Sequence, residues 1–336
     1  MMIQEQIPLA PLTTMHVGGN ARFFVRVGNE DELSRAIFFA REKELPIFVL
    51  GGGSNTLVLE TGFSGLVIKM EFKGIAYDDN RVAVGAGEMW DEFVQSVVAH
   101  NLWGVENLSL IPGTVGGAAV QNIGAYGVEA YNTIFSVTAF DVNTMQSKTF
   151  LCNECASGYR ESVFKKNKNL IVTSVVFNLA YNGVPQINYE DVKKYFEEKA
   201  ITQPALLEIR EAVVAIRTKK MPAPPIGTAG SFFKNPVVDT AQYEVLKNRF
   251  PEMKAYLQGD NHGDNKVKLS AAWLLDHVGG WRGVRRGDAG VHEKQALILV
   301  NYGSATANEM MSLASEMKND IKEKTGVLIE EEVVMM

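Results

Sequence analysis

The chain has 336 residues, 46% of them apolar and 21% charged, and a formal net charge of −6. This length predicts two or three domains, and the composition is that of an ordinary globular chain. The acidic balance, with no basic block, argues against nucleic acid as the main partner, and no apolar run is long enough to span a bilayer.

The opening residues, MMIQEQIPLAPLTT, carry no basic region and no hydrophobic core, so no export signal is expected. Residues 22–27, RFFVRV, read as a strand rich in aromatic and β-branched residues. NEDELSRAIFFAREKEL follows as a helix, with acids in its first turn and Leu33, Ala36, Ile37 and Ala40 on one face. PIFVL is a second strand that runs into GGGSN, which makes a βαβ opening. GLVIKM and VAVGAG alternate as strands, and EMWDEFVQSVVAHN reads as a helix with Trp90, Phe93, Val94, Val97 and Val98 on one side.

A glycine-rich stretch, GTVGGAAVQNIGAYG, comes next, and then strand-like FSVTAFDV, SKTFL and LIVTSVVFNL. PALLEIREAVVAIRTKK is helical and stops before Pro222. Residues 223–230, rich in Pro and Gly, suggest a domain boundary, and GDNHGDNK at 259–266 reads as mobile surface. KLSAAWLLDHV is a short helix and ALILVN a strand. TANEMMSLASEMKNDIKEKTG is a helix with a capping box at Thr306 and Glu309 and a stop at Gly326. VLIEEEVVMM closes the chain as a last strand. The pattern is α+β.

Five stretches could carry chemistry. LGGGSN, residues 50–55, follows a strand, and consecutive glycines bring backbone N–H groups close to a phosphate. IPGTVGGAAVQNIGAYG, 111–127, offers a second glycine-rich strip in which Thr114, Gln121 and Asn122 could hydrogen-bond a flat or extended ligand. Neither matches a dinucleotide fingerprint or a P-loop, but together they favour a large cofactor with a pyrophosphate. GYRES places Arg160 behind Tyr159, and a guanidinium can grip a carboxylate with two parallel hydrogen bonds. GTAGSFFKNP sets Ser231 between glycine-rich backbone and two rings, Phe232 and Phe233, expected to be buried. EEEV holds three carboxylates among apolar residues, with alternation sending Glu330 and Glu332 to one face and Glu331 to the other. The CNEC pair, Cys152 and Cys155, has no second pair to complete a zinc site and precedes a loop, so it reads as coincidence; few cysteines and no signal point to the cytoplasm.

TTMHVGGNA, LGGGSNTLV, LIPGTVGGAAVQNIGAYG, ECASGYRESVFK, GTAGSFFKNP and GVLIEEEV occur in this order. Together they resemble the UDP-N-acetylenolpyruvoylglucosamine reductase family of peptidoglycan synthesis, from about residue 10 to the C-terminus. GVPQINYEDVKKY is similar to the branch with an extra tyrosine loop over the substrate. The resemblance implies an FAD-binding region of two α/β subdomains of the vanillyl-alcohol oxidase type, at 1–70 and 71–218. The second would be joined by the 326–336 strand, and a smaller mixed α/β substrate-binding domain would span 219–325.

It also implies a reaction. NADPH reduces FAD, the flavin N5 gives hydride to UDP-N-acetylglucosamine enolpyruvate, and a serine then protonates the neighbouring carbon to give UDP-N-acetylmuramate. Ser231 matches the proton donor, and Arg160 and Glu332 match residues acting on the substrate carboxylate. Tyr159 would shape the pocket, and Tyr189, Lys220 and Asn235 match contacts to the uridine diphosphate. Gly51, Gly52, Gly53, Ser54, Asn55, Thr114, Gly117 and Ile123 would hold FAD non-covalently, since GGGSN has no histidine to link it. No metal, membrane or nucleic-acid partner is implied, and a cytoplasmic monomer is expected. The tail departs from the family, which continues past EV with a basic residue and a glycine where this chain ends VVMM. The alternative is another FAD-dependent oxidase or dehydrogenase of the same superfamily.

Overall fold

The computed structural model describes residues 1–257 and 265–336, so most of the 259–266 stretch expected to be mobile lies outside the described residues. The chain divides into two compact units, one of 1–7, 21–53 and 64–219 and one of 8–20, 54–63 and 220–336.

The first unit holds two sheets. One orders Gln4–Pro8, Asn20–Val27, Phe63–Met70 and Ile47–Leu50, the last two parallel; the two strands of the expected βαβ opening share this sheet with Phe63–Met70 between them. The crossover is the Glu30–Glu42 helix, which Asn29 caps by accepting from the Glu32 N–H; Glu30, Asp31 and Glu32 fill its first turn, where the helix dipole favours anions. Its predicted face, Leu33, Ala36, Ile37 and Ala40, is buried. The second sheet is antiparallel throughout, in the order Gln146–Leu151, Ile134–Asp141, Leu170–Asn178, Arg81–Gly85 and Ile75–Asp78. The Trp90–Ala99 helix buries Trp90, Phe93, Val94, Val97 and Val98, and Phe93 packs tilted against Phe177 with centroids 4.6 Å apart.

The Leu206–Lys220 helix is tied to the Trp90–Ala99 helix by a bidentate pair, Arg210 donating to the Asp91 oxygens at 2.7 and 2.9 Å. Burial alone would raise the Asp91 carboxyl, but the Arg210 and Leu110 hydrogen bonds and the Arg217 charge outweigh it and hold it below its usual value. The native carboxyl therefore releases its proton more readily than the unfolded one, so its contribution is present above the unfolded value of 3.8 and is lost as pH falls through the lower native value. Asp91→Asn is expected to cost about 1–2 kcal/mol at neutral pH. In urea titrations, the gap to the parent protein should close below about pH 4.

The second unit has an antiparallel sheet in the order Gly227–Ser231, Ile298–Asn301, Ala289–Val291 and Arg285–Arg286, and a smaller one of Val237–Asp239, Lys266–Leu269 and Ala255–Leu257. The Ala307–Thr325 helix has the predicted capping box and ends at Gly326 with φ +71°. It lays Met310, Leu313, Ala314, Met317 and Ile321 into a core that also takes Met15, Val17 and Leu57 from the two early segments.

Three expectations change. Residues 227–231 are a strand rather than part of a Pro/Gly boundary, and the chain passes between units at Lys219–Lys220. KLSAAWLLDHV, expected as one helix, begins with Lys268 and Leu269 at the end of the Lys266–Leu269 strand; Ser270 caps a helix at Ala271–Trp273 that widens into a π-turn over Leu274–Val278. The closing strand is only Val334–Met335, parallel to Thr56–Leu57. Residues 330–332 first run beside Phe232–Lys234 and then switch partner to Asn55, so no single ladder continues; this tail groups with the second unit.

Candidate functional site

The two glycine-rich stretches meet in the first unit. A Cβ on Gly51 would lie 2.7 Å from the Thr114 hydroxyl oxygen, and one on Gly52 would lie 2.6 Å from the Gly113 Cα. Only glycine lets these two strips touch backbone to backbone. Lys69 Nζ donates to the Gly51 carbonyl; burial, then the nearby Arg26 charge, pushes its ammonium below its usual value.

The second strip, to which the sequence reading gave no helix, contains a short one, Val115–Gln121. Thr114 caps it by accepting from the Gly117 N–H at 3.3 Å, and Gly116 allows it to press on Ala86, 2.8 Å from where a Cβ would stand. The Ile123 N–H bonds back to the Ala118 carbonyl at 3.2 Å. Gln121 Oε1 is buried with no partner among the described residues. Asn122, read as a ligand donor, is instead an internal brace. It is 1% exposed, with φ +44°, and its amide donates to Glu129 Oε2 at 2.8 Å and the Gly158 carbonyl at 2.9 Å.

Tyr159 and Arg160 form the tip of a turn closed by paired hydrogen bonds between Gly158 and Glu161, at 3.0 and 3.1 Å. Arg160 has φ +55°, a conformation that costs a non-glycine residue about 1–2 kcal/mol. Its guanidinium donates to the Asn122 and Gly124 carbonyls at 3.2 and 2.9 Å and lies 5.2 Å from the Tyr159 ring centroid. Such strain, held by several bonds, is typical of positions kept for function. Tyr189 starts the Glu190–Glu198 helix, and its ring meets that of Tyr126 edge-on at 5.4 Å. Tyr126 escaped the sequence reading; the signal was a bulky residue at a glycine-flanked hairpin turn.

The second unit brings Ser231, Glu332 and Asn55 together. Phe232 and Phe233 are each 1% exposed, as expected, and Ser231 before them is exposed. The Glu332 N–H donates to the Phe232 carbonyl at 2.8 Å, so Glu332 lies beside the residue that follows Ser231. The Asn55 side chain donates to the Glu332 carbonyl at 3.1 Å, and the Val334 N–H returns a bond to the Asn55 carbonyl at 3.0 Å. Glu331 is taken up by Lys318 at 2.8 and 3.0 Å, and Glu330 is exposed with Lys234 at 3.8 Å. Gly230, with φ +73° and nothing within 4 Å of where a Cβ would stand, sets the backbone direction before Ser231. Asn235 accepts from the Ala271 N–H at 2.9 Å, and half-buried Lys220 ends its helix. Ser54 is half-buried.

Cys152 and Cys155 are free. Burial pushes the Cys155 thiol up to about 11 and raises Cys152 as well, so both are protonated at neutral pH, which disfavours thiolate chemistry. Among the described residues no group of three or more His, Cys, Asp or Glu could hold a metal, and no helix is long and apolar enough to cross a membrane.

Comparison with known proteins gives concordant results. Residues 21–149 match an FAD binding domain profile, and residues 221–336 match the profile of the UDP-N-acetylenolpyruvoylglucosamine reductase C-terminal domain. The UDP-N-acetylenolpyruvoylglucosamine reductase of Pseudomonas aeruginosa is 40% identical over 98% of this chain and 98% of its own. That of Paraburkholderia phytofirmans is 42% identical over 98% of this chain and 96% of its own. The solved reductase of Thermus caldophilus superposes with a TM-score of 0.70 at 28% identity, covering 99% of each chain. A 6-hydroxy-D-nicotine oxidase from Arthrobacter nicotinovorans, 14% identical with a TM-score of 0.50 over 91% of this chain and 81% of its own, shares the fold.

Proposed function

The chain belongs to the UDP-N-acetylenolpyruvoylglucosamine reductase family, and on that premise we propose how this FAD-dependent enzyme of peptidoglycan synthesis works with its own residues. The observation that carries the reading is the contact between the two glycine strips, which leaves backbone and no side-chain bulk where a pyrophosphate must approach. The residues present fit FAD: Gly51, Gly52 and Gly53 with Thr114, Gly117 and Ile123 would hold it, with Ser54 and Asn55 following in the chain. The buried, unpartnered Gln121 Oε1 is an acceptor suited to an N–H donor such as a flavin ring carries. Bound there, FAD supplies two-electron chemistry between NADPH and the enolpyruvyl double bond.

The remaining steps belong to the protein. Arg160 binds the substrate carboxylate and stabilises the negative charge that grows beside it. Glu332 acts on the same carboxylate. Ser231 delivers a proton from its Oγ to the carbon next to that carboxylate; a serine is a weak acid, so placement supplies most of the effect. Buried Phe232 and Phe233 anchor the backbone that carries that serine. Tyr189, Lys220 and Asn235 hold the uridine diphosphate, with Tyr159 shaping the pocket and 183–195 acting as the tyrosine loop. Residues 1–70 and 71–218 serve as the flavin-binding subdomains and 219–325 as the substrate-binding part, in a cytoplasmic monomer.

The test is NADPH oxidation by the FAD-loaded protein with and without UDP-N-acetylglucosamine enolpyruvate. Oxidation that depends on the sugar is expected, with UDP-N-acetylmuramate as product. Equal oxidation in both would replace this reading with an oxygen-reactive flavoenzyme.

A further inference from the structure

Lys69 lies on the Phe63–Met70 strand, opposite Leu50 in the parallel register that this strand makes with Ile47–Leu50. Its backbone therefore stands level with the last residue before the first glycine strip, and its Nζ reaches one residue further, to the Gly51 carbonyl. That carbonyl is its only hydrogen-bond partner among the described residues. The acid nearest to it in sequence, Glu71, is bonded to Arg26. Burial and then the Arg26 charge disfavour the ammonium; Glu71 offsets part of this and Lys73 adds to it. A half-buried cation held by one neutral carbonyl is costly to keep for packing alone.

The bond has a directional consequence. The Gly51–Gly52 peptide is trans, so its C=O and its N–H point to opposite sides. Fixing the carbonyl toward Lys69 turns the Gly52 N–H away from the lysine. That N–H has no hydrogen-bond partner among the described residues. Gly52 is also where the two strips meet, with the Gly113 Cα 2.6 Å from where a Cβ would stand. A peptide between two glycines rotates more freely than any other, and a rotated one would offer an anion its carbonyl oxygen in place of its N–H.

We infer that Lys69 is a positioning residue for the cofactor: by holding the Gly51 carbonyl it aims the Gly52 N–H at the FAD pyrophosphate. The inference rests on the reading that the glycine strips hold that pyrophosphate. Lys69 takes no part in the hydride or proton steps.

Lys69→Met keeps a long apolar stem and removes the donor. Titration of the full-length apoprotein with FAD, followed by flavin fluorescence, is expected to show about tenfold weaker binding, the scale of one hydrogen bond from a charged group. The factor should hold between about 0.05 and 0.5 M salt, because a fixed peptide is not screened whereas a distant charge is. The urea midpoint of the apoprotein should not fall, since a half-buried charge gives way to an apolar side chain. The Lys69→Met/Gly52→Ala double variant should lose less than the product of the two single losses, because both act through one peptide.

Parent-like FAD affinity in Lys69→Met, a loss that fades as salt rises, a urea midpoint lowered along with the affinity, or fully multiplicative losses in the double variant would each overturn the inference. Gly52→Ala alone separates it from the reading beneath it. Weaker FAD binding there, with parent-like binding in Lys69→Met, removes the positioning and leaves the cradle; parent-like binding in both removes the cradle as well. Should Lys69→Met fail to fold, Lys69→Leu takes its place with the same expected results.

Discussion

Ser231→Ala is expected to lower substrate-dependent turnover about 10²–10⁴-fold, the range that a positioned general acid supplies. The substitution removes one exposed oxygen at the end of the Gly227–Ser231 strand and leaves the buried Phe232 and Phe233 in place, so the fold should be undisturbed. Bleaching of the flavin absorbance by NADPH under anaerobic conditions should therefore proceed within about twofold of the parent, since no proton from this serine enters that step. Re-oxidation on mixing with UDP-N-acetylglucosamine enolpyruvate should be the step that slows. A variant that re-oxidises at the parent rate would remove Ser231 from the reaction and leave the proton to another donor.

Gly52→Ala should separate the protein from its flavin. The added methyl would stand 2.6 Å from the Gly113 Cα, 3.1 Å from its carbonyl carbon and 3.4 Å from its nitrogen, all backbone atoms that cannot rotate away. One strip must retreat, and overpacking of this kind costs about 1–3 kcal/mol. Expressed as affinity, that is a loss of about 5- to 150-fold in FAD binding. Gly28→Ala is the control, because its methyl would meet nothing closer than 3.7 Å. Flavin content after gel filtration and titration of the apoprotein with FAD measure both. Full flavin occupancy at unchanged affinity in Gly52→Ala would mean that the strips do not form the cofactor cradle.

Much of this was legible in the chain because it rests on local chemistry. Period-3.6 patterning with Thr306, Glu309 and Gly326 marks helix ends whatever surrounds them, and Phe232 and Phe233 announce burial by type. What escaped depends on partners far away in sequence. Nothing near Asn122 says that its amide is spent on Glu129 and Gly158, and nothing near Glu331 says that Lys318 claims it. The tail looked like one strand because its composition is strand-like, yet its partner changes between Phe232 and Asn55. The Val115–Gln121 helix was hidden by glycines that serve close packing on Ala86 and not flexibility.

The second unit is assembled from three separated stretches, 8–20, 54–63 and 220–336. During synthesis the first two leave the ribosome long before the third exists, and domains generally form from the N-terminal end as they emerge. Met15, Val17 and Leu57 must therefore wait through the translation of more than 150 intervening residues before the 220–336 stretch, which carries Leu299, Met310 and Ile329, begins to emerge. At about 5–20 residues per second, that is an interval of roughly 10–30 s in which chaperone binding competes with folding. For the same reason, a fragment beginning at Lys220 lacks part of its own interior, and co-expressed 8–63 peptide should raise its soluble yield.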